Sequence, residues 1–376
     1  MSILIAPDKF KGSLTAIEVC DAIASGLRQT HPNINIISIA MADGGEGTCE
    51  LLTQYFNGDT ISIEVTGPTF EKITADYGIS KDGSTAFIEM AKASGLQLLK
   101  QENRNPLFTT TVGTGELIKN ALDRGVKKIL IGIGGSATND AGIGMAQALG
   151  FDFFDSNNNS LKPIGENLIR LSSIGTDHIH PRIKEVEFLA LCDVDNPLFG
   201  PKGAAYIYAP QKGANEEAVK LLDDGLRNFE AVAQRTFKTF VNFPGAGAGG
   251  GLPGGAKAFL NITIHRGMDY IIHTTGLEEK IKQSDLIITG EGKIDQQTLA
   301  GKVVMEIGML GLKYNKRVIA ITGKCELPTQ DLQKIGITSV ISLVDQDVSE
   351  NEAMTSAYRL IQKKTKNLIT QSREAR

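Results

Sequence analysis

Short apolar runs recur along the chain, and several give way at once to a polar, glycine-rich segment. Residues 2–6 open the chain as a nearly continuous apolar run, the pattern of a strand buried on both faces. Thr15 and Glu18 stand at capping-box spacing and predict a helix running to about Arg28. Residues 35–40 predict a second strand, Gly47 onward a second helix, and residues 61–66 a third strand closed by Gly67-Pro68. This opening reads as βαβαβ. Near the other end, residues 285–289 predict a strand, 298–310 a helix, 317–322 and 338–343 two more strands, and about 351–368 a last helix.

The middle is patterned differently. Residues 73–79 and 84–90 flank Ser80-Lys81-Asp82-Gly83, a hairpin signal. Residues 151–154 and the turn-rich stretch 155–160 predict another hairpin, and 186–192 and 204–208 add short strands. The expected fold is α/β with two domains. A doubly wound, mostly parallel, Rossmann-like sheet is built from both chain ends (1–70 and 281–376), and a mixed α/β domain (71–280) is inserted between them. A length of 376 residues, beyond the usual size of one domain, agrees.

Composition narrows the function. A net charge of −4 leaves no basic footprint for nucleic acid or an acidic membrane surface. No apolar run approaches the ~18 residues of a membrane span. The four cysteines form no C-x-x-C pair, and His178 and His180 are the one close histidine pair, so a structural zinc site is not expected. Free cysteines and a start without a basic, apolar leader point to the cytoplasm. The 41 glycines exceed the roughly 26 that average usage would give a chain this long, and they cluster in loops, marking sites rather than low complexity.

Those loops carry the chemistry. Glycine brings a backbone close to a ligand with its N–H groups exposed, and a following helix adds a positive dipole end. Asp8, Lys9 and Lys11 follow the first strand, at the carboxyl end where doubly wound folds bind ligands; a solvated turn is the plainer alternative. Asp43 and Glu46 repeat that placement after the second strand, among Gly44, Gly45 and Gly47. Residues 132–140 follow an apolar run and open a helix expected to end at Gly150. Gly132 to Ala137 matches G-x-G-x-x-[GA], a weak dinucleotide fingerprint, whereas Ser136, Thr138 and Asn139 suit phosphate oxygens. Asp193 and Asp195 follow a strand as D-x-D, a pattern that presents oxygen ligands to Mg²⁺, or merely caps a turn. Residues 245–255 could wrap a nucleotide or act as a hinge, and Glu291, Lys293 and Asp295 stand beside Gly290 and Gly292. No Gly-Lys pair is followed by Ser or Thr, which excludes a Walker A loop; H-R-D, D-F-G and G-x-S-x-G are absent too.

Taken together, the loops resemble the bacterial glycerate kinase family, type one. The resemblance is carried by Ala6-Pro7-Asp8-Lys9-Phe10-Lys11-Gly12-Ser13-Leu14, Ala42-Asp43-Gly44-Gly45-Glu46-Gly47-Thr48, Thr111-Val112-Gly113-Thr114-Gly115-Glu116, Gly132-Ile133-Gly134-Gly135-Ser136-Ala137-Thr138-Asn139-Asp140, Cys192-Asp193-Val194-Asp195-Asn196-Pro197-Leu198, Gly203 with Pro210-Gln211-Lys212-Gly213-Ala214, Pro244-Gly245-Ala246-Gly247 and Ile288-Thr289-Gly290-Glu291-Gly292. It covers nearly the whole chain. It implies two α/β domains around a cleft holding the active site, and ATP-dependent phosphorylation of D-glycerate, usually to 2-phosphoglycerate. Lys9 stands where many members have Ser, Gly249 where Ala is common, Lys293 where Arg is frequent, and Cys325 falls where the family is looser.

With that reaction as premise, residue chemistry suggests roles. Asp8, Asp43 and Asp193 are the candidate catalytic carboxylates. Lys9, Lys11, Ser13, Glu46 and Lys212 are expected at the glycerate. Gly134, Gly135, Ser136, Thr138, Asn139, Gly245, Gly247, Gly249, Glu291 and Lys293 are expected at the phosphates of ATP, and Asp193, Asp195 and Glu291 at Mg²⁺. A homodimer is one assembly the sequence admits. Three rivals stay open: a nicotinamide-dependent oxidoreductase using Gly132 to Ala137, a sensor that binds a sugar acid or nucleotide without turnover, and a kinase for another short hydroxy acid.

Overall fold

The computed structural model describes residues 1–42, 44–45 and 47–369. Its strands are β1 Ser2–Ile5, β2 Asn35–Ser38, β3 Asp59–Thr66, β4 Lys72–Ile79, β5 Thr85–Glu89, β6 Lys128–Gly132, β7 Asp152–Phe154, β8 Ser173–Gly175, β9 Glu187–Leu191, β10 Thr263–His265, β11 Leu286–Ile294, β12 Arg317–Cys325 and β13 Ser339–Ser342. The helices are α1 Ala16–Thr30, α2 Thr48–Tyr55, α3 Met90–Ser94, α4 Val112–Asp123, α5 Ile143–Ala148, α6 Ala204–Tyr208, α7 Glu216–Phe237, α8 Ala248–Leu260, α9 Gly267–Thr275, α10 Leu277–Gln283, α11 Val303–Lys313, α12 Thr329–Lys334, α13 Glu350–Thr355 and α14 Ala357–Thr365. Two compact units result: Met1–Asp43 with Met268–Arg376, and Gly44–Gly267.

The first unit holds a parallel sheet in the order β13-β12-β11-β1-β2. The chain leaves β1 toward one edge and leaves β11 toward the other, so the strand order reverses between these two, where open α/β sheets bind ligands. Helix α1 starts as its sequence demands: Thr15 and Glu18 cap each other reciprocally. Its Val19, Ile23 and Leu27 share a core with Ile3, Ile5, Ile288, Ile319 and Leu360. Two helices are shorter than the pattern suggested. Gly301, at φ +95°, separates a 3₁₀ turn at Thr298–Ala300 from α11, and Ser356 breaks the last helix into α13 and α14.

The second unit holds a six-stranded mixed sheet in the order β10-β9-β6-β5-β4-β3, and a separate β7–β8 pair. The strand at 61–66, expected third in the first sheet, belongs here: it lies antiparallel to β4, with Ile61 opposite Tyr77 and Val65 opposite Ile73. Only a short turn joins the two, closed by Gly67 N–H to Glu71 O at 2.6 Å, and a parallel crossover needs a dozen residues or more. Residues 44–70 therefore lie with the second unit, and 268–280 with the first, shifting both bounds from the sequence-based ones. Residues 204–208 form helix α6 rather than a strand. Burial there runs in adjacent pairs, Ala204 and Ala205 inside, Tyr206 and Ile207 each 46% exposed, not in alternation. Phe259 gathers Phe151, Phe153, Phe229 and Phe237 at 5.0–5.9 Å in the core of this unit. Among the described residues no helix is long and apolar enough to cross a membrane.

Candidate active site

In the first unit the predicted residues gather at the reversal point. The Asp8 N–H donates to Gly290 O at 2.8 Å, joining the loop after β1 to β11. Asp8 is 8% exposed, and its Oδ1 accepts the Lys9 N–H at 2.7 Å; Lys9 is half-buried and Lys11 exposed. The Gly290–Lys293 stretch is not a loop following the strand but part of β11, paired with β12 through Lys293 opposite Lys324. A side chain on Gly292 would press on the Lys11 N atom at 3.2 Å, so glycine there lets the two motifs touch. Glu291 is buried; it accepts the Thr298 hydroxyl at 2.6 Å and lies 3.8 Å from Lys302. Lys293 pairs with Glu326 at 2.9 Å and Asp295 at 3.6 Å, and the Glu326 carboxylate raises its pKa. Ser13 donates to Met354 O at 2.5 Å, a structural tie.

In the second unit the loops meet at the carboxyl ends of β5, β6, β9 and β10. Gly44 has φ +88°, and a Cβ there would stand 2.1 Å from Asp193 Oδ2 and 2.8 Å from Gly267 Cα. Asp193 Oδ1 accepts the Gly267 N–H at 3.0 Å, while Asp193 and Asp195 both remain exposed. Gly45 lies against Gly134. Asp43 and Glu46 fall outside the described residues.

The 133–142 segment is a loop for longer than its pattern suggested, since α5 begins only at Ile143. Gly134 and Gly135 are exposed and Ser136 sits just beneath them. Lys212, 3% exposed, donates to Ser136 Oγ at 2.6 Å and to Thr138 O at 2.7 Å. Burial pushes its ammonium down to about 7, against the pull of Asp140. Asp140 is itself pushed up by burial, although it accepts from the Thr111 N–H and hydroxyl and from the Gly142 and Gly144 N–H groups. Among the described residues, the buried side-chain atoms without a partner are Thr138 Oγ1, both amide atoms of Asn139, and Arg104 Nε. Arg104 belongs to the segment packed on this loop: Thr109 Oγ1 donates to Ala137 O, and a Cβ on Gly213, next to Lys212, would stand 2.1 Å from Arg104 O. Buried polar atoms left open are where a polar ligand or an ordered water fits.

Two readings of this region are corrected. β6 has β5 and β9 as parallel neighbours, and the strand after α5 joins a separate pair, so no dinucleotide-binding βαβ unit forms around Gly132 to Ala137. The glycines of 245–255 lie inside the second unit and not at either unit boundary, which removes the hinge role. They serve close packing: a Cβ on Gly250 would stand 1.9 Å from Thr138 O, and one on Gly255 1.7 Å from Ala141 O. Gly247 donates its N–H to Asn196 O, leaving none for a phosphate; Gly245 is buried, and Gly249 turns left-handed inside α8.

Glu89 escaped the sequence reading. It ends the apolar run of β5, 6% exposed, and accepts the Gly47 and Cys49 N–H groups at 2.8 and 3.1 Å. The signal that singled out Asp8, a carboxylate at a strand's carboxyl end, was present there too. No group of three or more His, Cys, Asp or Glu side chains able to hold a metal occurs among the described residues. The oxygen chemistry of Asp193 and Asp195 fits Mg²⁺, which is commonly held by one or two carboxylates together with substrate phosphates.

Residues 3–373 match the model of the glycerate kinase family. The chain is 42% identical to a glycerate kinase of Halalkalibacterium halodurans, over 99% of this chain and 98% of that one. It is 43% identical to a glycerate 2-kinase of Escherichia coli, over 98% and 97%. A crystal structure of a putative glycerate kinase 2 from Salmonella typhimurium LT2 superposes with a TM-score of 0.89 at 38% identity, covering 100% of this chain and 99% of the other.

Proposed function

Because the chain belongs to the glycerate kinase family and is an enzyme of that class, we propose that it phosphorylates D-glycerate at the 2-hydroxyl, using ATP and Mg²⁺ in the cytoplasm. The observation that carries this reading is the meeting of Gly44–Gly45, Gly134 and Asp193 at the strand ends of the second unit. The exposed backbone of Gly134 for phosphate and the exposed Asp193 carboxylate for a cation stand together there, with Gly44 and Gly45 packed against them. The first unit carries Asp8 and Lys9 at its own reversal point. The four free cysteines suit a reducing compartment.

When bound, ATP supplies the transferred phosphoryl group and Mg²⁺ neutralises its charge. The chain's own groups do the rest. Asp8 or Asp43 accepts the proton of the glycerate hydroxyl. Lys9, Lys11 and Lys212, with Glu46, orient the glycerate. Gly134, Gly135 and Ser136 offer donors to phosphate oxygens, with Thr138 and Asn139 reaching for partners the protein does not supply. Asp193 and Asp195 hold the cation, with Glu291 a competitor whose carboxylate is already engaged by Thr298.

The test is a coupled assay of ADP release with ATP, Mg²⁺ and D-glycerate, the product being resolved as 2- or 3-phosphoglycerate. Glycerate-dependent release of 2-phosphoglycerate is expected. Asp8→Asn and Asp193→Asn should each lower turnover by about 100-fold or more. Wild-type turnover in both would sink the assignment of roles, and 3-phosphoglycerate as product would sink the regiochemistry.

A further inference from the structure

We infer that Glu89 is a positioning residue of the reaction, its carboxylate holding the 44–48 loop in place by closing the N-terminus of α2. The inference rests on the reading that this loop takes part in the reaction.

A helix begins with N–H groups that have no partner inside it, and a side chain at the N-cap usually satisfies one of them. Helix α2 has no such cap. Its N-cap is Gly47, which has no side chain and a left-handed backbone at φ +92°. Glu89 Oε1 takes that place from another element, accepting Gly47 N–H at 2.8 Å and Cys49 N–H at 3.1 Å. It comes from the last residue of β5, directly across the ladder from Gly132, and is almost wholly buried. A carboxylate at that point also opposes the helix dipole favourably.

Two consequences follow. The start of α2 resembles an anion cradle in sequence, a glycine-rich loop running into a helix, but the protein's own carboxylate already fills it. Phosphate recognition in this unit therefore belongs to Gly134–Ser136. Moreover, the loop is held at both ends. Thr48 Oγ1 closes it on Gly45 O at 2.7 Å, Glu89 grips the helix end, and Asp193 packs against Gly44 at the other.

Steady-state kinetics of three variants test this, each checked for a wild-type thermal midpoint. Glu89→Asp keeps the charge but draws the oxygens back by one methylene. Its kcat is expected to fall at least about 10-fold while KM for ATP stays within about twofold, because an ångström of misplacement acts on the transition state. Glu89→Gln leaves Oε1 in place and should keep about a third or more of kcat. A purely structural role would not order the variants by reach at a constant midpoint. Wild-type kcat in Glu89→Asp, or KM for ATP rising in step with the loss of kcat, overturns the inference. Asp43→Asn separates the two ideas: if it turns over like wild type, the loop reading falls and the inference with it. If it is inactive while Glu89→Asp is normal, the inference alone falls.

Discussion

Gly44 and Gly47 allow one substitution to be set against its own control. Both have a left-handed backbone, at φ +88° and +92°, so alanine at either should cost about 1–2 kcal/mol of stability from the backbone alone. They differ in what the new methyl group meets. At Gly47 nothing lies within 4 Å; at Gly44 the Cβ would stand 2.1 Å from Asp193 Oδ2 and 2.8 Å from Gly267 Cα. Ordinary contact begins near 3.4 Å, so the carboxylate must retreat by 1.3 Å, against the hydrogen bond that ties its other oxygen to Gly267. A displacement of that size in a reacting constellation costs about 100-fold, or roughly 2.7 kcal/mol of transition-state stabilisation. We expect Gly44→Ala to lose about 100-fold in kcat/KM for D-glycerate in the ADP-release assay, and Gly47→Ala to stay within about fivefold of wild type. Urea denaturation should show Gly44→Ala as the less stable of the two, since its methyl also meets the Gly267 backbone. Equal kcat/KM in the two folded variants would refute the reasoning, since it would mean that the position of Asp193 does not matter to turnover.

Four further outcomes are expected. Burial depresses the Lys212 ammonium from its ordinary value to about 7, so between about pH 7 and pH 10.5 the unfolded chain holds a proton that the native state has lost, and stability from this group rises with pH. The stability of wild type relative to Lys212→Met should therefore increase from pH 6.5 to pH 9.5 in urea titrations, and a flat difference would contradict the burial argument. Asp140→Ala strands four donors that now converge on one buried carboxylate, and should cost about 3 kcal/mol or more, read from the denaturation midpoint. Phe259→Ala, emptying the centre of an aromatic cluster, should cost about 3–5 kcal/mol by the same measurement. In a thiol-labelling time course Cys325, the half-buried cysteine, should react first. Cys20, Cys49 and Cys192 should wait for unfolding, since burial raises all three thiols.

Part of the candidate site was legible because strand-end loops announce themselves. The apolar runs at 2–6, 128–131 and 186–192 end in polar segments, and the fold places those segments beyond the carboxyl ends of the parallel strands β1, β6 and β9. Asp8, Ser136 and Asp193 were singled out this way. Glu89 was not, since nothing local distinguishes a carboxylate that ends a strand from one that caps another element's helix. Conversely, the glycines of 245–255 look like a nucleotide loop in sequence, whereas Gly250 and Gly255 are required by backbone packed beneath the Thr138–Ala141 stretch. Composition records that glycine is present and not what approaches it.

Local periodicity and capping chemistry act through neighbours a few residues apart, so most of the strands, the start of α1 at its capping box and the α/β class follow from the chain read in order. Partners separated by tens or hundreds of residues do not. Whether the strand at 61–66 joins the first sheet or the second depended on β5, the neighbour of its hairpin partner β4, pairing with the distant β6. Whether Gly247 could offer an N–H depended on Asn196, and the charge on Lys212 depended on being sealed beneath Ser136. Those are matters of burial and of which long-range hydrogen bonds are made, and only the folded chain brings their two halves together.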